Sequence, residues 1–270
     1  MIGLAGAAAC QRRVAPVVVA DSASVAVDLP RGGHGWLSRF DVTSTGIDHI
    51  ARAAPSGTSM VGEYYPASRS PAFTRLDNAA VLANYQSVHS DKALALINCS
   101  FFERYDPETE LSFPIKAQGI IITGGSSPYG PCEYPADRRY EKVRLKALVW
   151  NDSSIKVTDY DHKTGEGLND PAFPDGLVTY DYADHPANVL AGDPMDKYQL
   201  LGVAGTSLMV LTIGKGRMVD GAALMKRNGV QGTILTVDGG PSTHLWTKAS
   251  GAVLETVSKT LPHYLGFRRR

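Results

Sequence analysis

The sequence is poor in the features that would sort it at once into a functional class. Basic and acidic side chains number 27 each, so the formal net charge is zero, and no broad basic field exists to hold duplex nucleic acid. The arginines at 268–270 read as a solvated tail. No apolar run approaches the roughly 20 residues that a membrane helix needs, and no transmembrane span is expected. Cysteine occurs only as Cys10, Cys99 and Cys132, without the close paired spacing of structural zinc sites. Cys99 and Cys132 are either a disulfide or two buried thiols, and spacing leaves both open. Several catalytic signatures are missing as well: no Gly-x-Ser-x-Gly elbow, no His-Glu-x-x-His helix and no Cys-x-x-Cys pair. The run from Gly214 through Lys215, Gly216 and Arg217 fits neither the dinucleotide fingerprint nor the P-loop, and reads as a hairpin turn.

What is present suffices for a folded body. With 270 residues and 43% hydrophobic composition, the chain can bury a substantial core, and one domain over 31–270 is expected behind a leader of 1–30. Residues 2–9 resemble the end of a secretory h-region, and the Ala-Ala-Ala-Cys that ends at Cys10 resembles a loose lipobox. These point to an extracytoplasmic protein, secreted, periplasmic or lipid-anchored.

The most informative stretch is 234–243, Ile-Leu-Thr-Val-Asp-Gly-Gly-Pro-Ser-Thr. A β-branched run delivers Asp238 to a tight polar turn, where glycines admit positive φ and successive N–H groups can form an anion-holding nest. The same dipeptide also serves as a plain hairpin signal. The chain makes this shape twice, however. A helix from Asp77, with Val81, Tyr85 and Val88 on one stripe, leads to a strand at 93–97 and then Asn98; a helix capped by Asp220 and stopped near Gly229 leads to Asp238. A twofold or interleaved architecture would bring Asn98 and Asp238 to one cleft.

The remaining segments are read more coarsely. Residues 36–42 suggest a strand, 47–54 a short helix, 114–122 a strand pointing Lys116 and Gln118 to one face, and 140–158 a hairpin about Asn151. Residues 159–197 show no periodicity; 200–213 and 257–267 look like strands. Arg69 and Arg75 flank a helix start, where arginines can help to hold an anion.

Two motifs then resemble a known family. Ile97-Asn-Cys-Ser-Phe-Phe resembles the Asn-Gly-Gly-Phe-Phe motif, and Val237-Asp-Gly-Gly-Pro-Ser-Thr the Leu-Asp-Gly-Gly-Gly-Ser motif, of the phosphodiester glycosidase family, the family of the uncovering enzyme that removes N-acetylglucosamine from a phosphodiester on mannose. The similarity runs from about Leu76 to Phe267. It implies an α/β fold of α+β type, a single mixed-sheet domain with a few short helices, and hydrolysis of a glycosyl phosphodiester or related glycosidic bond in a glycan or envelope polymer. Asp238 is then nucleophile or general base and Asn98 orients substrate or water. The Ser242 and Thr243 hydroxyls and the N–H groups of Gly239 and Gly240 stabilise developing charge, one such donor being worth about 3 kcal/mol. Phe102, Lys116, Gln118, Arg75, Arg217 and His244 are the candidate substrate-binding residues, and Glu63 and Glu103 the candidates for a second carboxylate.

The sequence departs from the family where Cys99 and Ser100 replace glycines, where Pro241 replaces a third glycine, and where Gly205-Thr206 stands for an Arg-Thr pair, with Arg217, Lys116 or Lys259 as substitute charges. Two rival readings stay open. One is a non-catalytic carbohydrate-binding or envelope-associated protein. The other has no organic cofactor but a calcium ion held by Asp238, Asn98 and backbone oxygens.

Overall fold

The computed structural model describes residues 17–52, 73–102, 108–109, 111–122, 143–185, 192–251, 253–254 and 260–270. Within them two antiparallel sheets face each other. The larger has ten strands; its main path runs Ala23–Leu29, Gly33–Asp41, Ser207–Gly216, Asp196–Ala204, Gln231–Val237, Asp175–Asp181, Leu145–Trp150, Ile155–Asp159. Ile115–Ala117 joins Asp175–Asp181, and Ile120–Ile122 joins Ile115–Ala117. The smaller has five strands in the order Val253–Leu254, Leu245–Thr247, Ala93–Asn98, His263–Arg269, Thr45–Ala51.

Each sheet is covered on its outer face by one helix, which explains why several strands read as continuous apolar runs rather than as alternating patterns. Along Ser207–Gly216, Leu208 and Val210 point into the core between the sheets, whereas Met209, Leu211 and Ile213 point outward. The outward set meets helix α2, Met218–Arg227, through Ala222, Leu224 and Met225. Gly221 allows that close approach: a β-carbon there would come within 2.7 Å of Ile213. Helix α1, Asn78–His89, covers the smaller sheet by laying Val81 and Tyr85 on Ile50, Leu96 and Tyr264. Gly266 is needed beneath it, because the Tyr85 ring lies 2.5 Å from where a β-carbon would stand. Between the sheets, Phe40 stacks on Phe267 at 4.0 Å amid Ile97, Leu201, Leu235 and Leu265. The α+β expectation holds in this four-layer, single-domain form.

Several local expectations change. Residues 47–54 do not start a helix: Thr45–Ala51 is a strand, with Ile47 and Ala51 in the inter-sheet core and Ile50 under α1. Burial on both faces places apolar residues at 47, 50 and 51, a spacing that imitates one helical turn. Residues 114–122 form two strands, Ile115–Ala117 and Ile120–Ile122, about a turn in which Gln118 and Gly119 have φ of 50° and 85°. Lys116 and Gln118 therefore do not share a strand face. Residues 200–213 belong to a hairpin that turns at Gly205-Thr206, and the Gly214-to-Arg217 run is a strand-to-helix junction rather than a turn. Asp220 does not cap α2; the Asp193 carboxylate accepts from the Met218 and Val219 N–H groups at 2.9 and 3.2 Å, a cap supplied from 25 residues away. The aperiodic segment holds the strand Asp175–Asp181, buried in mid-sheet. Val88 leaves the apolar stripe of α1 and is 57% exposed. The Asn151 hairpin is present, with the Asn151 side chain accepting from the Ser153 and Ser154 N–H groups. Within the leader boundary of 1–30, Ala23–Leu29 is an edge strand paired with Gly33–Asp41.

Candidate functional site

The strands Ala93–Asn98 and Gln231–Val237 lie in different sheets and end at the same place. Three hydrogen bonds join their turns. Asn98 donates through Nδ2 to the Asp238 carbonyl at 2.6 Å, Asp238 donates its N–H to the Cys99 carbonyl at 2.8 Å, and His244 donates its N–H to Asn98 Oδ1 at 2.9 Å. The two repeated units thus meet, as their shapes suggest. Asn98 is 1% exposed and its amide is engaged on both sides by backbone, so it clasps the two sheets together.

Asp238 stands at the rim of this juncture, half-buried. After it, Gly239 is extended and Gly240, at φ 57°, opens a single 3-10 turn, Gly240–Ser242. Ser242 and Thr243 return their N–H groups to the Gly239 and Gly240 carbonyls at 3.1 and 3.2 Å. The N–H groups of Gly239 and Gly240 donate to no acceptor among the described residues. Thr243 and His244 are buried, and neither the Thr243 hydroxyl nor either His244 ring nitrogen has a hydrogen-bond partner among the described residues. Burial pushes the His244 imidazole down to about 4, so near neutral pH it is an uncharged hydrogen-bonding group. Orphaned polar atoms this deep are costly, of the order of 1–3 kcal/mol each, which makes this turn the candidate place for a polar ligand.

The other sequence candidates divide. Arg75 donates to the Thr260 carbonyl and places its guanidinium 5.4 Å from the centre of the Phe102 ring, shortly past the Asn98 turn. Lys116 is buried, is spent on the Asp170 carbonyl at 2.7 Å, and is held by burial below the usual lysine range. Gln118 belongs to its own turn and donates its N–H to Asp175. Arg217 pairs with Asp193 at 3.2 Å beside the start of α2. Lys116 and Arg217 thus each already hold a partner of their own. Gly205 is not the place to look for a substitute charge. Gln199 pairs with Val237 and Val203 with Gln231, so the Gly205 turn lies at the far end of the strand from Asp238, roughly 20 Å away at 3.3 Å per residue. Glu63, Arg69, Glu103, Lys259, Cys10 and Cys132 lie outside the described residues. Cys99 is a buried free thiol, raised by burial well above its ordinary range.

Sequence reading missed three groups here. Lys197 is half-buried, and its carbonyl is 3.2 Å from where a β-carbon on Gly239 would stand. Its neighbour Tyr198 packs toward α2, and Lys197 itself sits at a register irregularity of the strand between Asp196 and Tyr198. An aromatic group closes the same end: Phe101 stacks on Tyr180 at 5.2 Å, and His185 lies 6.1 Å from both Tyr180 and Tyr198, burial bringing His185 down to about 4. Behind Asn98 runs a buried relay. Ser100 donates its N–H to His263 Nδ1 at 3.3 Å, its hydroxyl is 2.7 Å from that nitrogen, and His263 Nε2 is 3.0 Å from His49 Nδ1. Because a backbone N–H only donates, His263 Nδ1 is the acceptor and its proton sits on Nε2, facing His49. These residues escaped notice because two of the elements carrying them were read as a helix or as aperiodic.

Neither a protein-family model nor a curated protein sequence matches the chain. In architecture it is similar to the zebrafish N-acetylglucosamine-1-phosphodiester alpha-N-acetylglucosaminidase catalytic domain, auto-inhibited by its pro-peptide, with a TM-score of 0.58 and 11% identity over 92% of this chain and 83% of that one. A hypothetical protein from Synechocystis (TM-score 0.43, 10% identity, 92% of this chain and 61% of that one) also matches. So does an exported protein from Burkholderia pseudomallei K96243 (TM-score 0.48, 10% identity, 88% and 75%). The zebrafish likeness is one of fold, at a distance where sequence identity carries no catalytic information. No helix among the described residues is long and apolar enough to cross a membrane.

Proposed function

We propose that this chain is a hydrolase of glycosyl phosphodiesters, cleaving between a sugar anomeric carbon and a phosphate oxygen, with Asp238 as nucleophile or general base. The observation that carries the reading is the juncture itself: two sheet-ending motifs clasped by Asn98, with the partly buried Asp238 on one of them and the unpartnered Thr243 hydroxyl and His244 ring a few residues further on. The fold likeness to a phosphodiester glycosidase domain supports the same choice of chemistry.

A phosphodiester leaving group departs as an anion, so a second carboxylate to protonate it matters less than donors fixed where its charge develops. The Gly239 and Gly240 N–H groups and the Thr243 hydroxyl are our choice for those donors, and Lys197 for the positive charge. Neutral His244 and the Ser242 hydroxyl would hold sugar hydroxyls or the attacking water. Asn98 acts by holding Asp238 in register. The deciding experiment compares native protein with Asp238→Ala on a panel of glycosyl-1-phosphodiesters and matching aryl glycosides. Turnover of phosphodiesters that vanishes in the variant supports the reading. Turnover of aryl glycosides alone moves the chemistry to ordinary sugars, and turnover of neither sinks the hydrolase in favour of a binding protein.

A further inference from the structure

A second cavity, of about 240 Å³, opens between the edge strand Thr45–Ala51 and the start of Asp175–Asp181. The antiparallel pairs Tyr180 with Thr236 and Asp181 with Leu235 put Asp238 level with about Val178, so Asp175 lies three residues, roughly 10 Å, further along its strand. The cavity is built rather than incidental. Trp150 and Asp175 are directly paired across neighbouring strands, so their side chains stand together on one sheet face. Trp150 is 2% exposed and lines the cavity, yet its indole N–H has no hydrogen-bond partner among the described residues. Its ring is locked against His49 at 5.0 Å. Asp175 accepts one bond, from the Gln118 N–H at 2.9 Å, and burial followed by the nearby Asp48 and Asp152 raises its carboxyl above the ordinary range.

Charges of both signs are interleaved around the rim. Arg268 pairs with Asp48 at 2.9 Å and Arg270 with Asp152. A simple anion entering here meets three carboxylates, and a simple cation meets two guanidinium groups. A vicinal diol meets neither penalty, because each hydroxyl both donates and accepts. One can donate to Asp175 while its neighbour accepts from Trp150. The volume falls below the roughly 300–1,000 Å³ of drug-sized sites and suits one pyranose ring.

We infer that the cavity between Trp150 and Asp175 is a second binding site, for a neutral saccharide unit, distinct from the Asp238 juncture. It does not depend on the hydrolase reading, since binding here is measured without turnover. The test follows the indole N–H resonances of the ¹⁵N-labelled full chain, which has three tryptophans, during titration with neutral methyl glycosides, and in parallel with putrescine and with inorganic phosphate. Trp150→Phe assigns the Trp150 signal. A methyl glycoside should shift that signal saturably, in native and Asp238→Ala protein alike, and Asp175→Asn should weaken the binding at least tenfold while leaving thermal unfolding in place. Absence of a glycoside shift, a shift insensitive to Asp175→Asn, or a response to putrescine or phosphate in place of the glycosides would overturn the proposal.

Discussion

The two halves of the juncture are built alike and end differently. Each is a helix followed by a buried strand that delivers a polar residue to a turn, yet Asn98 is sealed and bonded through both ends of its amide whereas Asp238 is only partly buried, a few residues from orphaned polar atoms. The Asn98 half has a second layer of support in the Ser100, His263 and His49 relay. The Asp238 half has two glycines and a 3-10 turn. Similar local shape therefore does not mean similar chemistry: one half stabilises the site, the other presents it.

This contrast can be broken experimentally, beginning where the effect should be greatest. Asp238→Asn keeps shape and removes charge. It should lower kcat/KM on a phosphodiester substrate by about 10³ or more, about 4 kcal/mol of transition-state stabilisation, while denaturant unfolding moves by less than about 1 kcal/mol. A large loss of stability would make Asp238 a structural residue like its counterpart. Asn98→Ala should show the opposite balance. It strands the buried His244 N–H and Asp238 carbonyl, and an unfolding titration should record a loss of about 2–4 kcal/mol. An unchanged midpoint would mean that the clasp carries nothing.

Acid offers a graded version of the same test. Burial lowers His49 to about 3, His244 and His185 to about 4, and His263 well below its ordinary value. All are depressed relative to an unfolded histidine near 6.5, so the unfolded chain binds more protons between those values. Stability is complete above about pH 6.5 and falls as pH drops towards 4, by up to about 1.4 kcal/mol per pH unit for each histidine. Unfolding free energies measured from pH 7 to 4 should show this slope, and His49→Asn with His263→Asn should flatten it more than His244→Asn does. A slope unaffected by all three replacements would contradict the burial argument. Val88→Ala on α1 should cost least, within about 0.5 kcal/mol, because that side chain faces water. A larger loss in a thermal melt would mean that α1 buries a wider face than Val81 and Tyr85 provide.

The contrast also shows where sequence reading failed. It failed most where a strand is buried on both faces. Thr45–Ala51 and Asp175–Asp181 lack visible alternation because α1 and the inter-sheet core cover opposite faces of the first, while the second sits in mid-sheet. With them went His49, Tyr180 and His185, which local pattern could not place near any site. Lys197 was passed over because its meaning depends on the Gly239 backbone beside it, 42 positions later in the chain.

By itself the sequence determined the two motifs, the α1 start at its Asp77 cap, the Asn151 hairpin and the α+β class, because caps, turns and glycine requirements act over a few residues. Only the tertiary structure decided that Asn98 clasps two turns from different sheets, that Asp193 and not Asp220 caps α2, and that Lys116 and Arg217 each find a partner far along the chain. Each of those outcomes depends on which distant backbone group reaches a buried polar atom first. Sheet pairing sets that proximity, and a linear pattern does not encode it.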